Sequence, residues 1–235
     1  MSQVTSNGKS ITTVNDLFAP AIQLYNNETD GERRYTHFIE EILGLSPDII
    51  SPVESRFKVS PPVNNDQVYR NVSARYGIDR SKEQVGIVVE ASMDEKRYAM
   101  DHWLEVIQKL AVEKPSAEYS IIYNENSGNP NFSKASINAL LSSLPNNIRR
   151  KVHLVSGTMS EITSVISHQS LLLSNDTGLA HLGANLENGP KVVSLHVPRF
   201  SPNLWVSNSS KQKGVVSNTN DINSIDPSTI VDNTK

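Results

Sequence analysis

Five short apolar runs punctuate the chain after residue 84: Val85–Val89, Tyr119–Tyr123, Val152–Val155, Leu171–Ser174 and Val192–Leu195. Each is too short for a helix and lacks polar alternation, so each is expected to be a strand buried on both faces, as in parallel sheets. Between them, residues 101–112, 133–144, 160–168 and 178–186 place apolar side chains at helical spacing, so a crossover helix follows each of the first four strands. Thr158, three residues before Glu161, predicts a capping box for the third of these helices. The pair Val215-Val216 predicts an edge strand. The expected architecture is α/β: a Rossmann-like parallel sheet with helices on both faces.

The front of the chain has a different rhythm. Residues 1–15 are polar and aperiodic and read as a loose arm. From Tyr35 to Leu43, Phe38, Ile39, Ile42 and Leu43 share one helical face, and Gly44 is a stop signal. Pro52, Pro61 and Pro62 mark a linker, and residues 66–77 predict a helix with Val68, Val72 and Tyr76 inward. The boundary is expected near Ser81, giving an N-terminal segment 1–80 and a domain 81–235.

Composition narrows the chemistry. With 235 residues and 37% apolar content, the chain can bury one large core with an accessory piece. A formal charge of −3, with no Lys/Arg cluster interleaved with aromatics, argues against a nucleic-acid partner. The absence of cysteine removes disulfides, thiolate metal sites and a cysteine nucleophile. The six histidines show no paired ligand spacing with carboxylates, so no metal is expected, and Trp103 and Trp205 read as packing residues. No stretch approaches a membrane span, and the first twenty residues lack a signal-peptide core, so the expected location is the cytoplasm.

Two loops carry candidate chemistry. At Asn175-Asp176-Thr177-Gly178 an apolar run stops at a polar turn and restarts with helical spacing. A strand–turn–helix junction of this kind lies at the carboxyl end of a strand, where ligands bind in open α/β sheets, and the new helix offers amides to an anion. Gly178 permits close approach and Thr177 adds an amide and a hydroxyl. Asp176 would repel a phosphate, so it faces a sugar hydroxyl or a cation, or it is an Asx-turn or N-cap residue. His181 reads first as a packing histidine and otherwise as a site residue. In the second loop, Glu90–Arg97, the Ser92 hydroxyl and the Lys96 ammonium suit a diphosphate, and the same residues also suit a solvated charged loop.

Ser174–Ala184 resembles the signature turn of glycosyltransferase family 9, the bacterial ADP-heptose heptosyltransferases. Glu90–Trp103, with Asp94, Lys96 and His102-Trp103, resembles that family's phosphate loop and following helix. Met159-Ser160-Glu161 looks like its base-side segment and Pro198–Trp205 like its Pro-rich loop. The resemblance implies that residues 81–235 form the nucleotide-sugar half of a GT-B fold. It implies contacts from Ser92 and Lys96 to phosphate or sugar, Glu125 near the ribose, and Met159 near the base. Thr177, Gly178 and Leu179 would offer amides to the diphosphate, and Asp176 would bind donor-sugar hydroxyls.

The implied donor is an ADP-sugar, used without cofactor or metal for inverting transfer to a lipopolysaccharide-core or other glycan or lipid-linked acceptor. The implied location is cytoplasmic or peripheral at the inner face of the bacterial inner membrane. Departures from the family pattern are Ala91-Ser92 for two threonines, Tyr98-Ala99 for Trp-Pro, and Val197-Pro198-Arg199 for Gly-Pro-Thr. About eighty residues stand where the family has a complete acceptor domain with its catalytic acid/base, so no catalytic residue is assigned. That leaves a glycosyltransferase active alone or with an acceptor domain from a second chain, a non-catalytic nucleotide-sugar-binding module, and a flavodoxin-like binding domain.

Overall fold

The computed structural model describes residues 4–6, 9–11, 59–91, 93–125, 133–200 and 211–235. The helix expected at Tyr35–Leu43, together with Ser92 and Trp205, lies outside the described residues. Two strands, β1 (Val4–Ser6) and β2 (Lys9–Ile11), pair antiparallel with Val4 opposite Ile11, which corrects the expectation of an aperiodic arm. Asn7-Gly8 between them is a strong hairpin signal in the sequence.

One compact unit runs over Lys58–Pro202 and Val206–Lys235. Its elements are α1 (Asn65–Tyr76), β3 (Gln84–Val88), α2 (Met100–Glu113), β4 (Glu118–Ile122), α3 (Lys134–Leu141), α4 (Asn146–Arg149), β5 (Val152–Val155), α5 (Met159–Ser167), β6 (Leu171–Asn175), α6 (Gly178–Asn185), β7 (Lys191–His196), β8 (Gln212–Val216) and α7 (Pro227–Asp232). The unit begins well before Ser81, because α1 belongs to it: Tyr69 and Val72 are buried with Val165 and Ile166 of α5. The α1 residue expected inward at Val68 is only half-buried, and its neighbour Tyr69 takes the core position.

Six strands form one all-parallel sheet in the order β5-β4-β3-β6-β7-β8. Successive strand residues face opposite ways, so Val85 and Ile87 join one core and Val88 joins another. The first core takes Trp103, Ile107 and Leu110 of α2 and Ile230 and Val231 of α7. The second takes the buried faces of α1, α5 and α6. In α6, a Cβ added at Gly183 would come within 2.7 Å of the Leu172 side chain, so glycine sets how closely this helix sits on β6.

From β3 the chain steps outward through β4 to β5, then returns to pair β6 against β3 on the other side. The crossover direction reverses between β3 and β6, which opens a crevice at their carboxyl ends. Val88 pairs with Ser174 at that end, so the loop after β3 and the turn after β6 face one another across it.

Candidate functional site

Asn175, the last residue of β6, is completely buried. Its Nδ2 donates to the Val89 carbonyl at 2.8 Å, and its Oδ1 accepts from the Tyr98 amide at 3.1 Å. One side chain therefore pins both ends of the loop that follows β3. The loop is also fixed from the C-terminal segment: the Tyr98 hydroxyl donates to the Ile225 carbonyl, and the Ala99 amide donates to Asn223 Oδ1, each at 2.7 Å. Burial raises the Tyr98 phenol, so the hydroxyl remains a donor.

A 3-10 turn at Asp94–Lys96 carries Lys96 toward the β6 turn, where its Nζ donates to Asp176 Oδ2 at 2.5 Å. On the other oxygen, Oδ1, His181 Nε2 lies at 3.5 Å and His196 Nδ1 at 3.7 Å. Asp176 is buried, and burial pushes its carboxyl up. The hydrogen bonds from His181 and Lys96 and the surrounding charges outweigh this and bring its pKa down to about 2. His196 is held well below the ordinary histidine range, at about 4, by burial, with the Asp176 charge opposing.

The residue capping α6 is Thr177, in extended backbone and without a side-chain capping bond; its hydroxyl lies 3.2 Å from Ser174 Oγ. Asp176 therefore does not serve as a helix cap. Nor is His181 a packing residue away from the site, since it sits against the carboxylate one turn into α6. Trp103 is fully buried in the core, as expected of a packing residue. Among the described residues, no group of three or more His, Asp or Glu side chains is arranged to hold a metal ion, and no helix is long and apolar enough to cross a membrane.

A cavity of about 840 Å³ opens beside this cluster. Val88, Ile122, Ile162 and Leu182 give it apolar lining, and Glu90, Arg97 and Asn124 give it polar lining. Thr177, Gly178 and Leu179 bring the start of α6 to it, where first-turn amides have no acceptor within the helix. Met159 also lines it and is 67% exposed, an unusual position for a large apolar side chain unless something covers it. The capping box that starts α5 is present: Thr158 and Glu161 bond reciprocally, which fixes Met159 at the first helical position.

Thus Met159, Thr177, Gly178 and Leu179 share the cavity, whereas Lys96, Asp176 and His181 form the ionic cluster next to it. Glu125 is exposed and does not line the cavity; its backbone amide donates to Ser156 Oγ at 3.3 Å, and its neighbour Asn124 is the lining residue. Three residues were not anticipated: Asn175, Arg97 and His196. Arg97 pairs with Asp94 and donates to the Ala91 carbonyl at 2.8 Å, which places a guanidinium beside the cavity in a loop short of hydroxyls. His196 ends β7, and its position at a strand carboxyl end was a usable signal.

The sequence matches the glycosyltransferase family 9 (heptosyltransferase) profile over residues 13–229. No curated protein matches it. Solved structures of similar fold include Escherichia coli heptosyltransferase WaaC with ADP, at TM-score 0.60 and 16% identity, covering 86% of this chain and 54% of that one. The glycosyl transferase family 9 protein from Veillonella parvula DSM 2008 gives TM-score 0.69 at 11% identity, covering 88% and 59%. E. coli ADP-heptose lps heptosyltransferase II gives 0.58 at 11% identity, covering 94% and 80%. The chain thus spans a little over half the length of the first two.

Proposed function

Because this chain belongs to glycosyltransferase family 9, we propose that its cavity binds an ADP-sugar of heptose type. The sugar passes to a lipopolysaccharide-core or other glycan acceptor with inversion. The observation that carries this reading is the cavity at the sheet's switch point, apolar along one side and open to the first amides of α6. Support also comes from the WaaC structures, solved with ADP and with ADP-2-deoxy-2-fluoro heptose.

In this reading Met159 lies against the base, Glu125 is near the ribose, and the amides of Thr177, Gly178 and Leu179 receive the diphosphate. Ser92 and Lys96 contact phosphate or sugar, and Asp176, with His181 beside it, accepts from sugar hydroxyls. The acceptor oxygen forms its bond to the anomeric carbon as the bond to the phosphate oxygen breaks. The electron pair leaves with the nucleoside diphosphate, and the acceptor proton goes to a base outside this compact unit, on this chain or a second one. The start of α6 stabilises the departing anion by about 0.3–2 kcal/mol, depending on burial. Neither metal nor cofactor takes part, and the reaction takes place on the cytoplasmic side of the membrane.

Gly178 gives a clean test. A Cβ there meets no atom within 4 Å, so the fold does not require glycine, while a ligand on the helix amides does. Gly178→Ala is expected to melt at or above the wild-type temperature and to bind ADP about tenfold more weakly in calorimetric titration. In the same titrations, Lys96→Ala weakens ADP itself, whereas Asp176→Ala mainly weakens ADP-heptose. Absence of ADP binding to the wild type overturns the reading. Equal loss of ADP affinity in Lys96→Ala and Asp176→Ala overturns the separate roles.

A further inference from the structure

We propose that His196 is a positioning residue whose Nδ1–H, fixed by a buried chain of hydrogen bonds from Gln212 through Ser194, orients the Asp176 carboxylate. The His196 side chain is 1% exposed, and its Nε2 lies 2.8 Å from Ser194 Oγ. Ser194 Oγ in turn accepts from Gln212 Nε2 at 3.2 Å. The serine is fully buried, and its hydroxyl hydrogen has one remaining acceptor among the described residues, His196 Nε2. An imidazole that accepts at Nε2 and is neutral carries its proton on Nδ1, which has no hydrogen-bond partner among the described residues and faces Asp176 Oδ1 at 3.7 Å as a charge–dipole contact. The reverse chain, with the Gln212 amide turned over and Nε2–H donating to the serine, would set the Nδ1 lone pair against a buried carboxylate. That costs electrostatic energy where water cannot screen it.

The consequence concerns how Asp176 is held. Lys96 reaches it from the loop after β3, His181 from α6, and His196 from the end of β7. Of these, His196 is the buried group without a net charge, because burial holds its pKa near 4. Lys96 can turn toward a diphosphate while His196 keeps the carboxylate oriented toward the sugar. The tautomer stands independently of the functional reading; its effect on donor binding rests on that reading.

Two measurements on the full chain test this. In nitrogen–proton correlation spectra at pH 7, the ring signals that vanish in His196→Phe should show a protonated Nδ1 and an unprotonated Nε2. In Ser194→Ala, that tautomer should lose its dominance. A protonated Nε2, or an imidazolium, overturns the proposal. In titrations, His196→Phe is expected to weaken ADP-heptose about fivefold to tenfold relative to ADP. His196→Asn, whose amide nitrogen overlays Nδ1, should recover most of the loss, and His196→Gln should not. Equal weakening of both ligands, without recovery by asparagine, overturns the positioning role. Failure of ADP to bind the wild type would instead sink the functional reading and leave the tautomer result intact.

Discussion

Asn175→Leu is expected to lower the unfolding free energy by about 3 kcal/mol and to reduce ADP binding below detection. Leucine fills nearly the same volume, so the loss is of hydrogen bonds rather than packing. The Tyr98 amide and the Val89 carbonyl, both buried, would each be left without the partner that Asn175 supplies. Buried groups stripped of a partner cost about 1–3 kcal/mol each. Binding should suffer as well, because those two groups bracket the loop that carries Lys96 and Arg97. Urea melts with matched slopes measure the first effect and calorimetry the second. Asn175→Asp is the companion variant: it keeps an acceptor for Tyr98 but turns a carboxylate oxygen toward the Val89 carbonyl. It should be destabilised too. A loss under about 1 kcal/mol in both variants would mean that the loop is anchored by other contacts.

Acid should weaken the fold in two successive ranges. His196 titrates at about 4 when folded, against an ordinary value of about 6.5. Between these values the unfolded chain binds a proton that the folded chain refuses. Stability therefore falls as pH drops through this window, by about 3 kcal/mol in all. Asp176 has a folded pKa of about 2, below the ordinary carboxylate value of about 3.9. Its contribution is present above the ordinary value and is lost as pH falls toward 2, by about 2–3 kcal/mol. Urea melts of the wild type and His196→Phe across pH 7.5 to 4 separate the first step, since the phenylalanine variant should lose that share of the slope. Identical slopes would show that His196 is not held neutral by burial.

Local physics was legible in the sequence, and neighbourhood was not. All five core strands lie where short apolar runs predicted them, and β8 grew from the pair Val215-Val216. The Thr158–Glu161 box is an exchange between residues three apart, so spacing alone sufficed. By contrast, α3 ends at Leu141 rather than Leu144, with Pro145 close behind. Helix α7 went unread although Asp226 and Pro227 are a capping residue and a first-turn proline. The larger gap was sheet order. Nothing periodic in β3 or β6 says that they pair, yet that pairing puts Lys96 beside Asp176, eighty residues away. The sequence reading left Asp176 in need of a sugar hydroxyl, a cation or a cap; the structure supplies the cation. The strand-end position of His196 was readable, but its role was not, because that depends on three elements meeting at one carboxylate.

The bonds from Tyr98 and Ala99 to the C-terminal segment reach beyond this one chain. Where the family pattern has proline, Ala99 offers an amide hydrogen to Asn223, which a proline cannot do. Proline at position 99 would take this donor away from Asn223 Oδ1. Loss of Asn223 would remove the reason to keep proline out. The two positions are expected to be inherited together, so the tail of this molecule leaves a record in the loop that presents Lys96.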